Sequence, residues 1–365
     1  MSEIRACTVD DIPAIAGMFQ KAFRDTASVA PSSLESYLRE LFLEHPWLDT
    51  EIASRVYIAP DGQIRGFIGV LPVRMSFHGK PVRAALASSL VVDNPARYPM
   101  AGARLLRSYL SGSQDLCISE TSNPVARGMW ERAGGYSIAE YSMEWLRPLR
   151  PALLGVALIE EFFAVAKILR PLAALADRMI ARFVPDLAWP APAPPRIYAS
   201  ADVNDETLIE QIPRFAANYA LRPDWDRDAL AFFLRHAARK GRHGDLYRRM
   251  VYGRNQEPVG CYLYYGRPGQ IAFVLQILAR PESTGAVVAS LLSHAEKLGC
   301  VGVRGRTQPQ LLDALLGHRC AFLQRSSTTV HTSNTELLGA ISSGDAFIIG
   351  LAGESWTRLI GERFT

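Results

Sequence analysis

A chain of 365 residues with 48% hydrophobic side chains carries enough apolar material for a sizeable core, and its length favours two domains. Its 40 basic residues face 36 acidic ones, and the net charge of +4 is not gathered into one basic block, so composition gives no argument for a nucleic-acid partner. The five cysteines (Cys7, Cys117, Cys261, Cys300, Cys320) form no CxxC pair, and residues 1–6 lack the apolar run of a signal peptide; reduced thiols in a cytoplasmic protein are expected, with neither a disulfide framework nor a zinc site.

Ile4–Thr8 alternates as a first strand. Asp10 or Asp11 caps a helix whose apolar residues Ile12, Ile15, Met18, Phe19 and Phe23 repeat at helical spacing. A second helix is expected over Ser33–Glu44, stopped by Pro46. Strands follow over Ser54–Ile58, Ile64–Phe77 and Val82–Val92, with turns at Pro60-Asp61-Gly62 and His78-Gly79-Lys80. A helix from Pro99 to Leu110, a strand over Asp115–Ser119, a helix opened by Asn123 and one strand over Tyr136–Trp145 complete an α+β layout with a mainly antiparallel sheet.

Residues 147–195 break this pattern. Pro148–Val184 reads as two amphipathic helices, since Glu160, Glu161, Lys167, Arg170 and Pro171 interrupt it too often for a membrane-spanning helix. They either pack between domains or touch a membrane surface through residues 151–184, where Arg170, Arg178 and Arg182 lie beside apolar side chains. Trp189–Pro195 is a stiff linker. From Arg196 the layout restarts: a strand at Ile197–Ala199, helices over Asp205–Tyr219 and Asp226–Arg239, and strands over Arg248–Tyr252, Pro258–Tyr265 and Gln270–Ala279. A helix to Leu298, a strand over Cys300–Arg304, a helix over Pro309–Leu316 and a strand over Ala321–His331 follow. Two divergent copies of one fold are expected, divided as 1–147, 148–195 and 196–365.

Two stretches carry chemistry. Val91–Leu106 reads as a strand end, a tight loop and a helix start; Asn123–Gly135 reads as a strand end, a capped helix and a glycine stop. A helix start presents backbone N–H groups without intrahelical acceptors, which suits a phosphate. The order strand, loop-helix, strand, Asn-capped helix resembles the GNAT (GCN5-related N-acetyltransferase) family of acyl-CoA-dependent N-acyltransferases. In that family a loop of pattern Q/R-x-x-G-x-G/A meets the pyrophosphate of acyl-CoA. Arg97 matches its first position and Gly102 its last, with Met100 in place of the middle glycine. Asn123, Ala126, Trp130, Glu131 and Gly134 match the family's second segment. The resemblance covers residues 3–146 well and 196–365 faintly.

The resemblance implies tandem GNAT-like folds, each a mixed, mainly antiparallel sheet flanked by helices. It implies an acyltransferase moving an acetyl or other acyl group from acyl-CoA to an amine by direct attack in a ternary complex. Acetyl-CoA would be the co-substrate, with no metal. The backbone of Val91 and Val92 would bind the pantetheine; Arg97, Ala101, Gly102 and Ala103 would hold the pyrophosphate; Asn123, Ala126 and Trp130 would complete the site. A proton must leave the amine; Glu120 is the first candidate to accept it and Asp93 the second. Asn123 is read both as a catalytic contact and as a helix cap. Trp130 stands near where the family often has an acidic Tyr, and an indole cannot protonate a thiolate. Arg280–Gly285, in the corresponding place of the second half, lacks the glycine pair and carries Glu282, which marks that copy as degenerate. The acceptor is a small amine or an amino sugar, an amino acid, a polyamine or a protein; these residues do not choose, nor do they give the oligomeric state. The alternatives are a non-catalytic acyl-CoA-binding or scaffold protein and a Fem-type aminoacyl-tRNA-dependent transferase.

Overall fold

The computed structural model describes residues 2–24, 29–183, 190–359, 362 and 364; Val184 of the expected connector and Trp189 of the expected linker lie outside them. The strands, in chain order, are β1 (Glu3–Ala6), β2 (Arg55–Ile58), β3 (Ile64–Phe77), β4 (Lys80–Val92), β5 (Leu116–Ser122), β6 (Tyr136–Ile138), β7 (Met143–Pro148), β8 (Ala199–Asp202), β9 (Leu221–Pro223), β10 (Asp245–Tyr252), β11 (Pro258–Gly266), β12 (Ile271–Ala279), β13 (Gly302–Arg306), β14 (Ala321–Gln324) and β15 (Ser327–His331). They form two sheets. One runs β1-β2-β3-β4-β5-β15-β6, with β9 also paired to β3, and the other runs β14-β7-β13-β12-β11-β10-β8.

The first compact unit comprises residues 1–142, 219–233 and 326–365. Its sheet is built around the β3–β4 hairpin, which turns on His78 (φ 49°) and Gly79 (φ 81°). Two left-handed residues in a row make the tight turn whose twist matches that of the flanking strands. Helices α1 (Ile12–Arg24) and α2 (Ser32–Leu43) belong to this unit. So do α3 (Ala101–Leu110) and α4 (Pro124–Arg132). On α3, Ala101, Leu105, Leu106 and Tyr109 are buried against a core that includes Ile68, Ala85, Cys117 and Trp130. Among the described residues, the one parallel pair of strands in this sheet joins β4 to β5.

The second compact unit comprises residues 143–218 and 234–325. Its own parallel pair joins β12 to β13. The connector forms α5 (Pro151–Glu160), a 3-10 turn (Ala164–Leu169) and α6 (Arg170–Phe183). A longer helix, α7 (Thr284–Leu298), buries Val287, Val288, Leu291, Leu292 and Ala295 in the core and ends at Gly299 with φ 89°, a left-handed stop. Trp145 of β7 is fully buried in the same core, and a Cβ at Gly305 would stand 3.1 Å from its ring.

Three expectations need correction. Tyr136–Trp145 is not one strand: a helical turn at Ala139–Ser142 separates β6 from β7. Ala321–His331 is likewise two strands, β14 and β15. Each break sends the chain into the other sheet. β15 fills the slot between β5 and β6, and β7 fills the matching slot between β13 and β14. For that reason the contiguous division at 147 and 195 gives way to two units made of interleaved segments. The connector falls inside the second unit, where Leu154 packs on Ile271 and Val301.

Candidate active site

The first unit contains a cleft produced by the way β4 and β5 part. The two strands pair only from Ala84–Leu116 to Leu86–Ile118. Beyond that point, among the described residues, Ala87–Val92 has no strand partner on its β5 side. Tyr109 stands at the fork. Its buried hydroxyl donates to the Ala85 carbonyl at 2.6 Å and accepts the Ile118 N–H at 3.3 Å, holding apart groups that a continued ladder would join. Burial pushes this hydroxyl well above the ordinary phenol range, so it stays protonated.

Two irregularities aim side chains into the fork. Gly69 pairs with Ser89 and Val70 with Ala87, which leaves Ser88 as an extra residue, a β-bulge in β4. In β5, Ser119 lies opposite Thr329 and Ser122 opposite Ser327, again with one residue too many. The resulting cavity, about 240 Å³, is lined by Ser88, Ser89, Ser119, Thr121 and Ser122, with Leu106, Trp130 and Glu354 among its walls. The Ser88 hydroxyl is buried and makes no hydrogen bond among the described residues. The Ser122 hydroxyl bridges those of Ser119 and Thr329, at 3.0 Å each.

Asn123, Ala126 and Trp130 of the sequence-derived set line this cavity. The Asn123 side-chain oxygen accepts the Ala126 N–H at 2.8 Å, so Asn123 caps α4. Trp130 is almost wholly buried and meets the Tyr109 ring edge-on, with centroids 5.8 Å apart. Val91, Val92, Arg97, Ala101, Gly102 and Ala103 do not line it: Val91 and Val92 end β4, Arg97 lies in the loop that follows, and Ala101, Gly102 and Ala103 form the first turn of α3. Val91 is buried and pairs with Phe67. Ala101 sits in the core, and its N–H is taken by the Tyr98 carbonyl at 3.1 Å. Gly102 and Ala103 remain the helix-start residues whose N–H groups have no acceptor within the helix. A Cβ on Gly102 would make only ordinary van der Waals contacts, with Val92 Cγ2 at 3.7 Å and Met129 Sδ at 3.9 Å. Arg97 is exposed, its guanidinium 5.4 Å from the Tyr98 ring centroid. Met100, where the family has a glycine, is 64% exposed and leaves the helix start uncovered.

Glu120 corrects the sequence reading most sharply. It is fully buried, and its carboxylate accepts the backbone N–H groups of Gly350 (2.9 Å), Glu354 (2.6 Å) and Ser355 (3.0 Å) and the Ser355 hydroxyl (2.7 Å). A carboxylate so surrounded anchors a loop and is not exposed to an incoming amine. Gly353 is required by the approach, since a Cβ there would fall 2.2 Å from Glu120 Oε2. Asp93, the second candidate, is held by Arg65 at 2.8 Å and Lys21 at 3.6 Å. The loop that Glu120 anchors instead carries Glu354 into the cavity wall, where the Thr121 hydroxyl hydrogen-bonds its carboxylate. Sequence reasoning passed over Glu354 because nothing local ties residues 350–355 to β5; the flanking Gly350 (φ 70°) and Gly353 were the available signal. Cys117, on β5, is buried, and burial first of all pushes its thiol up to about 11, which argues against a thiolate nucleophile.

No family model and no curated protein matches the sequence. Solved structures do match. A protein from Enterococcus faecalis V583, described as a probable N-acyltransferase, aligns with a TM-score of 0.60 at 11% identity over 91% of this chain and 73% of that one. A GCN5-related N-acetyltransferase from Anabaena variabilis gives 0.60 at 11% over 92% and 74%, and one from Kribbella flavida gives 0.53 at 11% over 90% and 70%. At that identity the likeness is one of architecture, and it extends over both sheets. In its architecture, the chain is a tandem protein of the GCN5-related N-acetyltransferase fold.

Proposed function

We propose that the first unit is an acyltransferase that moves an acetyl or other acyl group from acyl-CoA to an amine by direct attack in a ternary complex. The observation that carries this reading is the fork between β4 and β5, with its hydroxyl-lined cavity and the open start of α3 alongside. The unpaired edge of Ala87–Val92 offers backbone amide groups to an extended pantetheine, as an exposed strand edge does. The N–H groups of Gly102 and Ala103 suit the pyrophosphate. These features fit the co-substrate; its thioester supplies an activated acyl group with a good leaving thiolate.

The chain's own residues do the rest. The bulge at Ser88 directs backbone and hydroxyl donors at the carbonyl oxygen. The new C–N bond forms as the C–S bond breaks, and Glu354, oriented by the Thr121 hydroxyl, takes the proton from the amine. Glu120 and Asn123 then act as positioning residues, through the 350–355 loop and α4. Five hydroxyls around the cavity favour a polar acceptor such as a small amine or amino sugar. Glu282, in the 3-10 turn before α7, would oppose a phosphate there, which supports the first unit as the place of the chemistry.

The test is release of free thiol from acetyl-CoA against a panel of amines and amino sugars, for the natural chain and Glu354→Gln. Acceptor-dependent release, with kcat about 10²–10⁴-fold lower in the variant, is expected. Turnover that no acceptor stimulates, or a variant equal to the natural chain, would overturn the reading.

A further inference from the structure

We propose that the second unit docks on an anionic membrane surface through its connector, with an arginine-lined pocket beside the connector taking a lipid headgroup phosphate. The connector has two faces. Leu154, Val156, Ala166 and Ala173 turn inward and are buried. Outward, Phe162 is 79% exposed, Phe163 65%, Val165 70%, Ile168 74% and Leu172 67%, and the apolar strip continues through Leu175, Met179 and Phe183. Soluble surfaces seldom expose so much contiguous apolar area without a use for it. The exposure is built in. Asp177 of α6 accepts the N–H groups of Ala152 and Leu153 at the start of α5, at 2.8 and 3.0 Å. Arg170 forks onto Glu160 at 2.6 and 2.7 Å, closing the hairpin.

Charge complementarity selects the occupant. A cavity of about 430 Å³ is lined by Phe162 and Arg170 of the connector together with Arg242, His243, Arg304 and Arg325. Three of these guanidinium groups meet carboxylates: Arg170 engages Glu160, Arg304 lies 2.8 Å from Glu161, and Arg325 lies 3.4 Å from Glu161 and 3.8 Å from Glu144. The Nε of Arg304 is buried without an acceptor among the described residues. The neighbouring cations are felt at His243: burial first, then Lys240, Arg304 and Arg242, pushes it down to about 3. Arginine forks match phosphate oxygens, and the exposed Lys167, Arg178 and Arg182 on the same hairpin add attraction to an anionic surface. An apolar strip next to cationic groups is the composition of a helix lying in the interface plane. Among the described residues no helix is long and apolar enough to cross a membrane. A second copy of this chain fits less well, because a two-fold contact through the strip would set these basic residues near their own counterparts.

The test is flotation of the full chain with vesicles of phosphatidylcholine alone or with about one-third phosphatidylglycerol, alongside light scattering in solution. Two double variants are compared, Phe162→Ser with Phe163→Ser and Arg242→Glu with Arg325→Glu, each checked for an unchanged melting curve. Flotation is expected with the anionic vesicles, weaker by about tenfold or more on neutral vesicles and in either variant. Equal binding to both vesicles, or none, would overturn the proposal. So would a dimer that the phenylalanine variant dissociates while the natural chain ignores vesicles, which would assign the strip to a second copy.

Discussion

The carboxylate of Glu120 accepts the backbone N–H of Glu354 at 2.6 Å, so a buried acid on β5 fixes the loop that brings a second acid into the cavity. The two glutamates therefore differ in kind. Removing the first strands several buried donors, while changing the second alters a group in the cavity wall.

Glu120→Ala is expected to lower stability by about 3 kcal/mol or more, because charge-assisted bonds to Gly350, Glu354 and Ser355 are lost together and their donors remain buried. Glu354→Gln keeps nearly the same volume and is expected to melt close to the natural chain while losing turnover. Denaturant melts of both variants, set beside their kcat values, check the division of roles. A Glu120→Ala protein that melts normally would contradict it.

Tyr109→Phe tests the fork. Without the hydroxyl, the Ala85 carbonyl and Ile118 N–H lose a shared partner, at a cost of about 1–3 kcal/mol. The strands can then recover part of the lost bonding by zipping further. The expected signature is a modest fall in Tm together with a larger rise in KM for acetyl-CoA, read from melting curves and steady-state kinetics. A fall in Tm with KM untouched would limit Tyr109 to a packing role.

His243 gives a pH dependence with a definite sign. Its ordinary value is 6.5, and burial with the nearby Lys240, Arg304 and Arg242 lowers it to about 3 in the folded chain. The unfolded chain binds this proton more readily, so the contribution of His243 to stability is complete above 6.5 and declines as pH falls toward 3. His243→Gln is expected to flatten that part of the stability profile, measured by urea melts between those limits. A variant with the same acid slope as the natural chain would remove His243 as its source.

Local signals served this sequence well where the structure is local. His78-Gly79 marked the β3–β4 turn, Asn123 marked the cap of α4, and the expected helix after Pro99 begins at Ala101. What failed is long-range. The alternation in Tyr136–Trp145 reads as one strand because β6 and β7 both alternate; only the partners, β15 for one and β13 with β14 for the other, reveal the break. The same holds for Ala321–His331. Glu120 is next in sequence to Thr121, Ser122 and Asn123 of the cavity lining, but its carboxylate is taken by the 350–355 loop, and no local pattern reveals that. Trp130 matches a family position, and its ring meets that of Tyr109 edge-on in the core, a contact no local pattern announces. The cavity itself is a product of two bulges and a tyrosine wedge, none of which leaves a periodic trace.

The most direct test of the central claim is titration calorimetry of acetyl-CoA against the natural chain and Gly102→Glu. A Cβ at Gly102 would make only ordinary contacts, the nearest 3.7 Å away, and the position is half-buried, so the variant is expected to fold, which its melting curve checks. The account predicts binding on the order of micromolar for the natural chain and its loss in the variant, where a carboxylate would stand in front of the α3 N-terminus. A folded natural chain that does not bind acetyl-CoA, or a variant that binds it equally well, would contradict the assignment of the fork and the start of α3 as the acyl-CoA site.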